Sequence, residues 1–264
     1  MGNKSFLFKK FLEDLKKIKN QSNQTPEEYM YIGTGNPLSN ILIIGKEVAL
    51  DIDSKEIREQ EQYKKEILNN FNDWNNLNSY NSDNIVKQDF NYYSPLYPYK
   101  GQVLKKDNGQ NFGTSVTWMN YQKLYNHIYQ NLDNKCINFH ENVFLTEVNS
   151  TPSKKNINAT IDSIPFRKEN ILGSDFFQSF PIVIISGVGY FDMSKQNNEI
   201  EKKFKVNFIE KRYGNEEKKT QPYWVHWNSE KTKIVINTYQ LSIGIADCLL
   251  KKIAEEIHNS KLLK

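Results

Sequence analysis

Four short apolar runs punctuate the chain: Ile41-Leu42-Ile43-Ile44, Val143-Phe144-Leu145, Ile182-Val183-Ile184-Ile185 and Lys233-Ile234-Val235-Ile236. Each has strand length and is rich in β-branched residues. Near-continuous apolar character marks strands buried on both faces. Helical periodicity lies between and around them. Leu7, Phe11, Leu15 and Ile18 share one face of a first helix, and Ile57, Ile67, Leu68 and Phe71 fit a second over residues 54–71. Trp118, Tyr121, Leu124, Tyr125, Ile128 and Leu132 fit a third, opened by the segment that starts at Gly113. Ile245, Leu249, Ile253 and Ile257 fit a last helix with Ser242 as its cap. Strands alternating with helices predict an α/β fold, a three-layer α/β/α sandwich around a central, mainly parallel four-stranded sheet. Residues 69–84, crowded with Asn, and 197–219, crowded with charge, read as surface excursions from a single domain over residues 1–264, with 1–30 as N-terminal helix and lead-in.

Composition narrows the function classes. The 264 residues include 15 Phe, 15 Tyr and 4 Trp, enough for a sizeable core. No apolar run approaches the ~18 residues of a membrane span. Residues 1–20 mix Lys with apolar residues and lack the apolar centre of a signal peptide, so a cytoplasmic protein with no membrane partner is expected. Cys136 and Cys248 lie too far apart in sequence for a zinc or iron–sulfur motif and are expected to be buried thiols. His127 and His140 have no metal-ligand spacing and read as surface or helix residues; His226 reads as part of an edge strand or hairpin. No metal and no cofactor are implied. A net charge of +4 permits a polyanionic partner without requiring one.

In a parallel α/β sheet the ligand site lies at the carboxyl ends of the strands, so the segments that follow the four runs carry the candidate chemistry. After the first comes Gly45-Lys46-Glu47, a turn that delivers a carboxylate, which is also the usual residue type for capping a helix. Thr146-Glu147-Val148-Asn149-Ser150-Thr151 follows the second, dense in groups that need either a ligand or an Asx turn to satisfy them. Ser186-Gly187-Val188-Gly189 follows the third; a lone Gly-x-Gly with no Walker lysine reads more simply as close backbone packing. Asn237-Thr238-Tyr239-Gln240-Leu241-Ser242 follows the fourth.

In this order the four segments resemble the motifs of the uracil-DNA glycosylase superfamily. The likeness runs from about Asn36 to Ile257, with Gly35-Asn36-Pro37 similar to the usual lead-in. The resemblance implies that Glu47 is the water-activating acid, with Lys46 beside it, and that the second strand carries the residue reading an extruded base. It also implies that Asn237 stands where the family has its catalytic His and that Leu241, flanked by Gln240 and Ser242, is the residue that wedges into the duplex. Ser186 joins the DNA-binding set, and Tyr92 or Tyr93 supplies the aromatic floor of the pocket. The chain departs from the pattern in three places. Val48 and Ala49 replace the Pro and Tyr after the acid; Glu147 occupies the Asn position, with Asn149 two residues later; and the final His is absent.

These residues match the needs of N-glycosidic hydrolysis: an anion beside an oxocarbenium-like sugar, a held water, and a donor to the departing base. An ionised Glu147 only accepts hydrogen bonds, which points to a base with an exocyclic amino group or a modification. The expected partner is DNA, duplex or single-stranded, bound by a monomer. Two other readings stand beside this one: a nucleic-acid-binding member without catalysis, and a hydrolase of free nucleosides or nucleotides.

Overall fold

All four apolar runs are strands. The computed structural model describes residues 2–21, 24–50, 56–80, 93–98, 115–130, 136–153, 160–187, 189–194 and 196–263. Its strands are β1 (Thr34–Gly35), β2 (Ile41–Gly45), β3 (Val143–Glu147), β4 (Ile182–Ser186), β5 (Asn207–Asn215), β6 (Thr220–Trp227) and β7 (Ile234–Thr238). They form one seven-stranded sheet in the order β1-β3-β2-β4-β7-β6-β5. The central β3-β2-β4-β7 set is parallel, while β1, β6 and β5 pair antiparallel. The fold is therefore α/β, but the sheet is mixed and larger than the four strands expected.

Two of the three further strands, β1 and β5, lack a run of apolar residues for a physical reason. β1 is two residues long. β5 is an edge strand with most positions open to water, so it reads Glu210-Lys211-Arg212 rather than apolar. It lies in the charged segment expected to be a surface excursion. His226 does sit on the β5–β6 hairpin, though on its inner strand.

Helices cover both faces. They are α1 (Gly2–Gln21), α2 (Ile57–Tyr63), α3 (Asn70–Asn76), α4 (Val116–Tyr129), α5 (Ser163–Phe166), α6 (Asp175–Gln178), α7 (Glu199–Phe204) and α8 (Asp247–Ser260). Leu42, Ile44, Phe144, Val183 and Val235 pack with α1, α3, α6 and α7. Ile41, Ile43, Leu145, Ile184 and Ile236 pack with α4 and α8 on the opposite face. Alternation along each strand feeds the two cores in turn, and each fully buried aliphatic side chain contributes ~1.5–3 kcal/mol of transfer free energy.

Several boundaries differ from expectation. The helix expected over 54–71 is α2, a π-helical turn (Lys64–Leu68) and α3. The Asn-rich stretch is not all surface. Asn70 is fully buried and accepts from the Ile32 and Gly33 amides at 2.9 and 3.3 Å, while its Nδ2 donates to Gly33 O at 2.9 Å. Trp74 Nε1 donates to the same carbonyl at 2.8 Å. Gly33 is held at φ +134°, where a side chain would strike Leu145 O. His140 lies in a short 3-10 helix (Phe139–Glu141), as one of the two expectations for it had it, and is buried against Phe139 and Trp118. Both cysteines are half-buried free thiols. Ser115 caps α4, but α8 starts at Asp247 after Ala246, so Ser242 is not its cap. Among the described residues no helix is long and apolar enough to cross a membrane.

Candidate active site

β2 has β3 on one side and β4 on the other, so the chain leaves it in one direction and later returns in the opposite one. Such a switch point opens a crevice beyond the carboxyl end of the strand. The described residues there are Gly45, Lys46 and Glu47 from β2, Glu147 to Asn149 from β3, Ser186, Gly187, Gly189 and Tyr190 from β4, and Asn237 to Leu241 from β7.

Glu47 is buried, 6% exposed, and caps no helix among the described residues. Its Oε2 accepts a hydrogen bond from the Tyr190 hydroxyl, and its Oε1 is buried without a partner. Burial pushes its carboxyl above the ordinary Glu value, opposed by the Tyr190 bond and the Lys46 charge. Lys46 is half-buried, its Nζ 5.3 Å from the centre of the Tyr190 ring. Tyr190 lies within reach of the Asn149 side chain, and burial and the neighbouring carboxylate raise its phenol.

Glu147 stands opposite Gly45 in the strand register. A Cβ on Gly45 would overlap Glu147 Oε2 and lie 2.8 Å from its Cδ, so the glycine serves close approach here rather than a turn. Glu147 is 9% exposed, and its Oε2 has no hydrogen-bond partner. Burial first, and the Glu47 charge second, push its carboxyl up to about 8, with Arg167 opposing. Burial thus pushes both carboxyls upward, and the Glu47 charge adds to the push on Glu147.

Sequence reasoning missed Arg167. It is fully buried in the π-helical turn (Arg167–Ile171) after α5. Its Nε and Nη2 donate to Glu147 O at 3.0 and 2.8 Å, Nη2 also donates to Thr146 Oγ1 at 3.0 Å, and Nη1 donates to Tyr31 O. It fixes the end of β3 through the backbone and makes no ion pair with the Glu147 carboxylate. Arginine occurs at three positions in a chain whose other basic residues are Lys, and that scarcity is a usable signal. Tyr190 had a weaker one, as the first aromatic after the Gly-x-Gly.

The other expected site residues divide. Asn237 is 2% exposed; its Oδ1 is unpartnered, and its Nδ2 meets only the weak acceptor Met193 Sδ at 3.5 Å. It remains available to a ligand. Asn149 is not: its Nδ2 donates to Thr160 O at 2.8 Å, and its Oδ1 accepts from Ser163 Oγ at 2.6 Å and Thr151 N at 3.1 Å, an Asx turn. Ser186 is buried and accepts from Leu241 N at 2.7 Å, a latch on the loop after β7. Leu241 is fully buried in the core shared with α4 and α8, so it is not an exposed wedge. The exposed apolar residues of that loop are Tyr239, 46% exposed, and Ile243, 85% exposed. Gln240 and Ser242 are half-buried, and Asn120 Nδ2 clamps Ser242 O at 2.8 Å. Tyr93 is buried, with its hydroxyl 3.3 Å from Glu66 O, too enclosed to floor a pocket in this arrangement. Tyr92 lies outside the described residues. A Cβ on Gly187 would meet Gly45 O and Lys46 Cγ only at 3.6 Å, ordinary contact, and one on Gly189 would meet nothing within 4 Å, so the close backbone packing expected of this pair is not what requires glycine here; Gly189 instead holds φ +108°. Among the described residues no three His, Cys, Asp or Glu side chains converge on a metal position.

The crevice thus offers a carboxylate with one free oxygen, a second carboxyl beside it and an unengaged amide. No family model matches the chain, and comparison with curated proteins and with solved structures also gives no match.

Proposed function

We propose that this protein is a divergent uracil-DNA glycosylase-like hydrolase that cleaves the N-glycosidic bond of an extruded, altered base. The observation that carries this reading is Glu47: a buried carboxylate at the switch point, held by Tyr190 on one oxygen and free on the other. The free oxygen orients a water toward the anomeric carbon and faces the positive charge that develops on the sugar. Tyr190 keeps the carboxylate in place and favours its ionised form. The Asn237 amide leaves a weak sulfur contact to donate to the departing base. An uncharged donor stabilises that anion less than an imidazolium would, so slow turnover is expected.

A second reading, hydrolysis of free nucleosides or nucleotides, is favoured by the burial of Leu241, which removes the expected duplex wedge. Tyr239 and Ile243 on the same loop are the apolar residues left to meet a duplex.

The test is base release from duplex and single-stranded oligonucleotides carrying uracil, hypoxanthine, xanthine or modified cytosines. Alkali-labile sites made by the wild type and lost in Glu47→Ala support the glycosylase. Release from free nucleosides alone moves the assignment to the second reading. Salt-sensitive oligonucleotide binding with no release from any substrate refutes both and leaves a non-catalytic binder.

A further inference from the structure

The β5–β6 hairpin carries chemistry that the crevice does not use. We propose that its α7-side face is a track for single-stranded nucleic acid, on which the nucleotides flanking the extruded one stack against Trp224 and Tyr239 while Lys211 meets their phosphates. The inference rests on the hydrolase reading for its class of ligand, and it adds a binding surface outside the crevice.

Residues directly opposite on neighbouring strands share a face of the sheet. The register places Phe208, His226 and Val235 in one row across β5, β6 and β7. α7 stands at that row, where its Glu201 accepts from the Phe208 amide at 2.6 Å. The next row on the same face is Lys211, Trp224 and Asn237. It runs from an exposed lysine at the sheet edge, through a half-buried tryptophan, to the buried amide of the candidate site. Strand pairing itself thus joins the open edge of the sheet to the crevice.

Aromatic rings gather along that row. Trp224 and Tyr239 meet edge to face with their centres 6.2 Å apart, and Tyr239 is on the surface. Tyr213, opposite Pro222 on this face, is half-buried. The Lys211 Nζ lies 5.2 Å from the centre of the Tyr213 ring and 5.5 Å from that of Trp224. Its strand neighbours Glu210 and Arg212 pair with each other, and Arg212 also pairs with Glu256 of α8, on the far face of the sheet. Lys211 therefore stands among rings while the paired charges of β5 lie behind it. Every base has a π-face, so rings on a sheet hold a single strand without reading its sequence, and a cation beside them suits its phosphodiester. Bases inside a duplex are already stacked on one another, which fits the track to the strand on either side of an extruded nucleotide.

The test is binding of a short fluorescein-labelled oligothymidine, followed by anisotropy between about 50 and 200 mM salt. Lys211→Ala is expected to weaken binding and to reduce the slope of log affinity against log salt by about 0.7, the share of one phosphate contact on a single strand. Trp224→Ala should weaken binding about tenfold or more, and Trp224→Phe, which keeps a ring, should restore most of it. Lys211→Ala and Tyr239→Ala alter exposed side chains and carry the test if Trp224→Ala does not fold. Lys231, whose Nζ lies 5.1 Å from the centre of the Trp227 ring at the end of β6, is the control, and Lys231→Ala should leave affinity and slope unchanged. Wild-type affinity in all the track variants, an equal loss in Lys231→Ala, or no binding of the oligonucleotide at about 50 mM salt overturns the inference. Each of these leaves the hydrolase to be judged by base release alone. Binding that depends on Lys211 and Trp224, with no base release from any substrate, refutes the hydrolase and leaves the track standing.

Discussion

Replacing Glu147 with Gln should make the protein more stable in alkali, by an amount that grows with pH. The unfolded carboxyl titrates near 4.5 and the folded one near 8. Below 4.5 both states hold the proton, and the group contributes nothing. As pH rises past 4.5 the unfolded chain releases its proton while the folded chain cannot, so unfolding gains ground until the folded carboxyl ionises near 8. The 3.5-unit gap between those values, at about 1.36 kcal/mol per pH unit, bounds the loss at about 5 kcal/mol. Water entry and relaxation around the charge reduce it, so about 2–5 kcal/mol is expected. Glutamine cannot ionise, and it leaves untouched the Arg167 bonds to the main-chain oxygen. Urea unfolding of both proteins at pH 5, 7 and 9 isolates this one group, because other titrations cancel in the difference. The advantage of the variant should be smallest at pH 5 and level off above pH 8. A difference that is the same at pH 5 and pH 9 would refute the reasoning.

Three further outcomes are expected. His140, buried against aromatic rings, has its imidazole pushed down to about 3 by desolvation. Its contribution is complete above the ordinary value of 6.5 and is lost as pH falls toward 3, so His140→Phe should flatten the acid limb of Tm between pH 4 and 7. Leu241→Ala should cost about 2–5 kcal/mol in chemical denaturation, whereas Ile243→Ala should change stability by less than about 0.5 kcal/mol and weaken duplex binding; the opposite pattern would return the wedge to Leu241. Arg167→Lys should destabilise by at least about 2 kcal/mol, because one ammonium cannot reach the four acceptors that the guanidinium serves, Glu147 O, Thr146 Oγ1, Tyr31 O and, at 3.4 Å, Tyr29 O, and a Tm shift under about 2 °C would contradict that count.

The parallel centre of the sheet was legible because burial on both faces leaves a plain trace, four runs of β-branched residues. Of the hairpin only the stretch around His226 was legible, since β5 buries little beyond Gly214 and has a sequence full of charge. Placing the candidate site after the strands followed from architecture, and Glu47, Glu147 and Asn237 are all there. Side-chain orientation was the harder matter. Nothing in Asn237-Thr238-Tyr239-Gln240-Leu241-Ser242 says that a serine on β4 draws Leu241 into the core and leaves Ile243 outside. Nor does spacing reveal that Asn149 is consumed by a turn while Asn237, equally buried, is not. Local hydrogen-bond competition decides both, and it depends on partners far away in sequence.

The stretch from Gly189 to Ser194 touches both halves of the crevice. Tyr190 holds Glu47 and Met193 meets Asn237, while Phe191 between them is anchored in the core. The backbone of the next residue, Asp192, is tied to Glu199 at the start of α7. The acid and the amide thus share one tether. A displacement of that tether acts on both partners together, so the crevice behaves as a single mechanical unit rather than as two independent groups.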